Sequence, residues 1–94
     1  MRIIDLIWLP DVIDKLDWKH NVKPEEVDEI LFGSPIYRMA QKGHVPGEDV
    51  YAAMGQTDSG RYLIVFFIYK TTREALILSA RDMDSKERRL YERS

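Results

Sequence analysis

The stretch that most constrains this chain is residues 62–69, YLIVFFIY. Side chains alternate across a strand, so Tyr62, Ile64, Phe66 and Ile68 would face one way and Leu63, Val65, Phe67 and Tyr69 the other. Both sets are apolar. A strand of this kind belongs at the centre of a sheet covered on both faces, because either face left open would expose a row of large apolar groups. The run is also far shorter than the roughly 20 residues a membrane-spanning helix needs.

Its neighbours supply the rest of a meander. VYAAMGQ at 50–56 reads as a strand, TDSG at 57–60 as the hairpin turn, and KTTRE at 70–74 as the next turn before the strand ALILSAR. A short strand around 36–40 fits inside a loop-rich segment punctuated by Pro35, Gly43, Pro46 and Gly47. Upstream, RIIDLIWL reads as a first strand stopped by Pro10. Residues 10–22 carry Val12, Ile13, Leu16 and His20 at helical spacing, with Trp8 and Trp18 expected in the core. KPEEVDEILFG is the best-marked helix: Pro24, Glu25 and Glu26 open it, Gly33 ends it, and Val27, Ile30 and Leu31 form its buried stripe. Asp84 and Glu87 have capping-box spacing, which predicts a last helix from about Ser85. The order predicts one α+β domain over 1–94. A small antiparallel sheet, a meander of three or four strands plus an N-terminal strand, is packed by two N-terminal helices and a C-terminal helix.

Composition narrows the function classes. With 45% hydrophobic and 32% charged residues the chain is an ordinary globular one, and without cysteine it has neither disulfides nor thiolate metal sites. With neither signal peptide nor spanning segment legible, a cytoplasmic location without membrane contact is expected. The net charge of −2 is unevenly spread. Residues 1–50 hold six Lys/Arg against ten Asp/Glu, residues 51–94 eight against six. That asymmetry permits an anionic ligand near the C-terminal part and a cationic partner elsewhere.

Neither a metal-ligand cluster nor a glycine-rich phosphate loop is legible, so no metal or cofactor is expected. What remains is cations, a histidine and tyrosines, the groups that metal-independent RNA cleavage uses. Arg81 ends the last strand, and alternation would put it on one face with Ser79, Ile77 and Ala75. It reads either as an ion pair with Asp82 or Glu87, or as a rigid fork for phosphate. Glu87, Arg88 and Tyr91 stand at i, i+1 and i+4 of the last helix; they read either as a solvated turn packed through Leu90 and Tyr91, or as a charge and a phenol for the reaction. His20, beside Lys19, reads as a packed or capping histidine or as a proton carrier.

The order and spacing of these pieces resemble a known family. Trp8, Lys19-His20, Val22, Pro24-Glu25-Glu26, Phe32, Gly55, Gly60-Arg61, Ser79-Ala80-Arg81, Glu87-Arg88 and Tyr91 resemble the BrnT-like toxins, RelE-type ribonuclease components of bacterial toxin–antitoxin pairs. The resemblance implies metal-independent endoribonuclease activity on RNA, possible action on the ribosome, and silencing by a ribbon–helix–helix antitoxin that binds DNA. It implies His20, Arg81, Arg88 and Tyr91 as catalytic, with Lys19 and Arg61 holding the flanking RNA backbone. This chain carries Leu9, Val12, Leu16, Val50 and Leu76 where that family has polar or basic residues. Those positions support a second reading, a catalytically inactive relative that serves as a protein- or nucleic-acid-binding module.

Overall fold

Tyr62–Tyr69 is the middle strand of a five-stranded sheet in the computed structural model, which describes residues 1–94. The elements run β1 (Asp5–Ile7), α1 (Pro10–His20), α2 (Pro24–Leu31), β2 (Ile36–Gln41), β3 (Val50–Gln56), β4 (Tyr62–Tyr69), β5 (Glu74–Asp82) and α3 (Ser85–Glu92). The spatial order is β1-β5-β4-β3-β2. Strands β2 to β5 form the antiparallel meander that the turn residues predict. Gly60, at φ +95, closes the β3–β4 hairpin with its N–H on the Thr57 carbonyl at 2.9 Å. The first strand departs from an all-antiparallel sheet: β1 is only three residues long and pairs in parallel with β5. After four meandering strands the chain returns beside β1 running in the same direction, so the sheet is mixed.

Helices α1 and α2 cover one face. Leu16, Val22, Val27, Ile30 and Leu31 pack there on Ala53, Leu63, Val65, Phe67, Ala75, Ile77 and Ala80, all buried. Gly55 lets α2 approach β3, since a Cβ there would meet the Ile30 side chain at 3.2 Å. Phe67 is the largest wholly buried side chain, stacked on Tyr51 and edge-on to Tyr37. The opposite face is only partly covered. Ala52, Met54 and Ile64 are buried beneath Leu90 and Tyr91 of α3, while Phe66 and Ile68 are half-exposed. Eight residues of helix span about 12 Å, too little to cover four strands. The both-sided burial expected of β4 is therefore complete on one face and partial on the other.

Two placements differ from the sequence expectations. Trp18 is exposed, at 75%, rather than in the core, because two residues along a helix is about 200° from the buried Leu16. Trp8, outside the helix, does pack against the core. In β5, Phe66 pairs with Ser79 but Phe67 with Ile77, so Leu78 is an extra residue in a bulge. Ala75 and Ile77 face α1 and α2, whereas Ser79 and Arg81 lie on the α3 face. The expected shared face of Arg81 with Ile77 and Ala75 does not survive that bulge.

Candidate functional site

Four residues of the last strand and helix converge at the end of β5. Asp84 caps α3, its carboxylate accepting the Glu87 N–H at 2.7 Å while Glu87 Oε1 accepts the Asp84 N–H at 2.9 Å. The capping box fixes Glu87 against the strand end, where it grips Arg81. Nη1 of Arg81 donates to Glu87 Oε1 at 2.7 Å and Nη2 to Oε2 at 2.9 Å, and Nη1 also donates to the Asp82 carbonyl at 3.1 Å. The guanidinium lies 5.6 Å from the Phe66 ring centroid. Arg81's hydrogen bonds hold the Glu87 carboxyl below its ordinary value, against an opposing effect of burial. Glu87 thus takes the two-nitrogen tip of the fork. The side edge, Nε with the second Nη2 hydrogen, donates to no protein acceptor, and the side chain is 36% exposed.

Arg88 lies over the Tyr62 ring at 4.0 Å and 3.6 Å from Glu92, with Tyr91 edge-on to the same Tyr62. Arg81, Arg88 and Tyr91 therefore share the α3 side of the sheet. The other three expected residues lie toward α1. Lys19 is exposed without an ion-pair partner, and His20 is half-buried at the helix end.

Arg61, expected to hold RNA backbone, is instead saturated by the protein. Its Nε and Nη2 grip Asp82 at 2.7 and 3.2 Å, Nη1 reaches the Asn21 carbonyl at 2.6 Å and Glu26 at 3.2 Å, and Nη2 reaches the His20 carbonyl at 2.9 Å. All five N–H groups are used. The cation sits where α1 leaves its last carbonyls unpaired, a position the helix dipole favours. Asn21, in the left-handed region at φ 52, turns those carbonyls toward it. Asp82 is held below its ordinary value, first by the Arg61 hydrogen bonds, with the Arg61 and His20 charges assisting. Asp82 joins the two halves: its carboxylate binds Arg61 and its carbonyl binds Arg81. No single concavity is lined by Lys19, His20, Arg81 and Arg88 together.

The positions Val12 and Leu16 belong to the packing of α1 on the core. Sequence reasoning also passed over four cations, Arg38, Lys86, Arg89 and Arg93, which line a groove beside α3. Their signal was the i, i+3, i+7 spacing of the last three; Arg38 comes from β2 and has no sequence signal.

The chain is thus a small mixed-sheet α+β domain with an arginine braced at the end of β5, one edge of its fork without a protein acceptor. Residues 14–87 match the family described as ribonuclease toxin, BrnT, of type II toxin–antitoxin systems, and the chain belongs to that family. Membership implies an RNA substrate and an antitoxin partner. The match ends at Glu87, so Arg88 and Tyr91 lie just beyond it. No curated relative matches the chain. No helix is long and apolar enough to cross a membrane.

Proposed function

We propose that this protein is a metal-independent endoribonuclease, silenced by a cognate antitoxin, with Arg81 as the group that holds the scissile phosphate. The observation that carries the reading is the free side edge of the Arg81 fork. Glu87 immobilises the tip, which leaves two parallel donors without a protein acceptor on a partly exposed side chain, the pair that a phosphate with two non-bridging oxygens requires.

The substrate's own 2′-oxygen attacks phosphorus while the bond to the 5′-oxygen breaks. The products are a 2′,3′-cyclic phosphate and a 5′-hydroxyl. Arg81 stabilises the charge that grows on the non-bridging oxygens, and Arg88 adds a second positive charge on the same side of the sheet. The 2′-hydroxyl loses a proton and the leaving oxygen gains one. His20 and Tyr91 are the residues suited to those transfers, an imidazole and a phenol at the same end of the sheet. Lys19 holds the flanking backbone, and Arg61 positions His20 and Asp82 rather than touching RNA. A ribbon–helix–helix antitoxin with a basic segment suits the acidic first half of the chain.

Inducible expression in a bacterium tests this. Wild type should arrest growth and yield RNA fragments with cyclic-phosphate or 3′-phosphate ends, and co-expression of the antitoxin should restore growth. Arg81→Ala should be harmless. If wild type and Arg81→Ala both leave growth and RNA intact, the binding-module reading replaces this one.

A further inference from the structure

Of the surface concavities, only the groove beside α3 is lined by several cations and no carboxylate. Arg38, Lys86, Arg89 and Arg93 line it with Leu90, enclosing about 380 Å³. Arg38 reaches it from the edge strand β2, opposite the buried Ala52 and therefore on the α3 side of the sheet. Lys86, Arg89 and Arg93 come from one flank of α3. Arg61, Arg81 and Arg88 all have carboxylate partners, whereas none of these four cations does. No carboxylate lines the groove. Four like charges gathered without a counter-charge repel one another, in a chain whose net charge is negative.

We propose that this groove binds the phosphodiester backbone of single-stranded RNA, as a holding site apart from Arg81; this rests on the nuclease reading above. The lining names the ligand class. Every polar side chain in it is a cationic donor, so it attracts phosphates. It has neither an aromatic platform for a base nor a side-chain acceptor to read a base's amino groups. Recognition is therefore of charge along an extended strand and independent of sequence. The site adds four cations that hold RNA beyond the scissile phosphate, where the Arg81 side of the molecule offers only Lys19 free of a carboxylate partner.

The test uses a short 2′-O-methylated single-stranded RNA, which cannot be cleaved, with binding read by fluorescence anisotropy from 50 to 200 mM salt. For single strands the logarithmic salt slope is about −0.7 per phosphate neutralised, so the four groove contacts alone contribute about a 50-fold loss of affinity over that range. Arg89→Gln/Arg93→Gln should cut the groove's share to about sevenfold, starting from a weaker affinity, with an unchanged thermal midpoint. Should that variant fail to fold, Arg38→Gln, from the other wall, must lower the slope by about 0.7. An unchanged slope in these variants, with wild type still cutting unmodified RNA, overturns the holding site and leaves the nuclease reading standing. Wild type that neither binds nor cuts RNA overturns both. Variants that keep RNA affinity but lose the antitoxin would show the groove to be a protein-docking surface, which also overturns the proposal.

Discussion

Replacing Arg61 with methionine keeps most of the side-chain volume and removes all five donors, so it isolates what the clasp contributes. Its contacts differ in weight. The Asp82 carboxylate is 63% exposed, and a pair of that kind is worth at most about 1 kcal/mol. Glu26 is better shielded, with 23% exposure on both partners, and is worth about 1 kcal/mol. The carbonyls of His20 and Asn21 lose charged hydrogen bonds and a cation at the end of α1, about another 1–2 kcal/mol. A total near 3 kcal/mol follows, which in a domain of this size lowers the thermal midpoint by roughly 12–24 °C. Circular dichroism melts at neutral pH measure it, and Arg81→Ala, which loses one partly buried bidentate pair and one carbonyl bond, should fall less. A midpoint for Arg61→Met within a few degrees of wild type would refute the clasp.

Phe67→Ala leaves a cavity under Tyr37 and Tyr51 and should cost about 3–5 kcal/mol by urea unfolding, enough to abolish soluble expression. Asp82 and Glu87 are both held below their ordinary values of 3.8 and 4.5, each chiefly by hydrogen bonds from its arginine. The unfolded chain thus binds more protons, and their stabilisation is complete above those values and lost as pH falls through the lower folded ones. Asp28, raised by burial and then by Glu25 and Asp5, acts in the opposite sense. Melts from pH 6 to pH 3 should show the loss, and Glu87→Gln should flatten it; a flat wild-type profile would contradict the assignment. Gly55→Ala must push Ile30 aside and should lower the midpoint measurably.

The sheet was legible because its strands announce themselves locally. Residues 62–69 read as a central strand, the Gly60 turn as a hairpin, and Asp84 with Glu87 placed the start of the last helix near Ser85. The site was legible in kind but not in arrangement. Arg81 was found because it ends a strand, yet the bulge at Leu78 reversed its relation to Ile77, and a bulge leaves no mark in a short apolar run such as ALIL. Arg61 gave no warning of its role, since its partners at positions 20, 21 and 26 are brought to it only by tertiary folding. Trp18 was misplaced because a tryptophan's size suggests burial when its helical angle does not. The cation groove was half-visible in α3, but its fourth wall comes from Arg38.

In the proposed reaction the free edge of Arg81 stabilises the transition state of RNA cleavage without a metal ion. The most direct measurement is the rate at which purified, antitoxin-free protein cuts single-stranded RNA in excess EDTA, for wild type, Arg81→Ala and Arg81→Lys. Wild type should stay active and Arg81→Ala should lose about 30- to 1000-fold, corresponding to about 2–4 kcal/mol. Arg81→Lys should recover only part, because an ammonium cannot present two parallel donors while Glu87 holds it. Cleavage abolished by EDTA, or an Arg81→Ala rate equal to wild type, would contradict it.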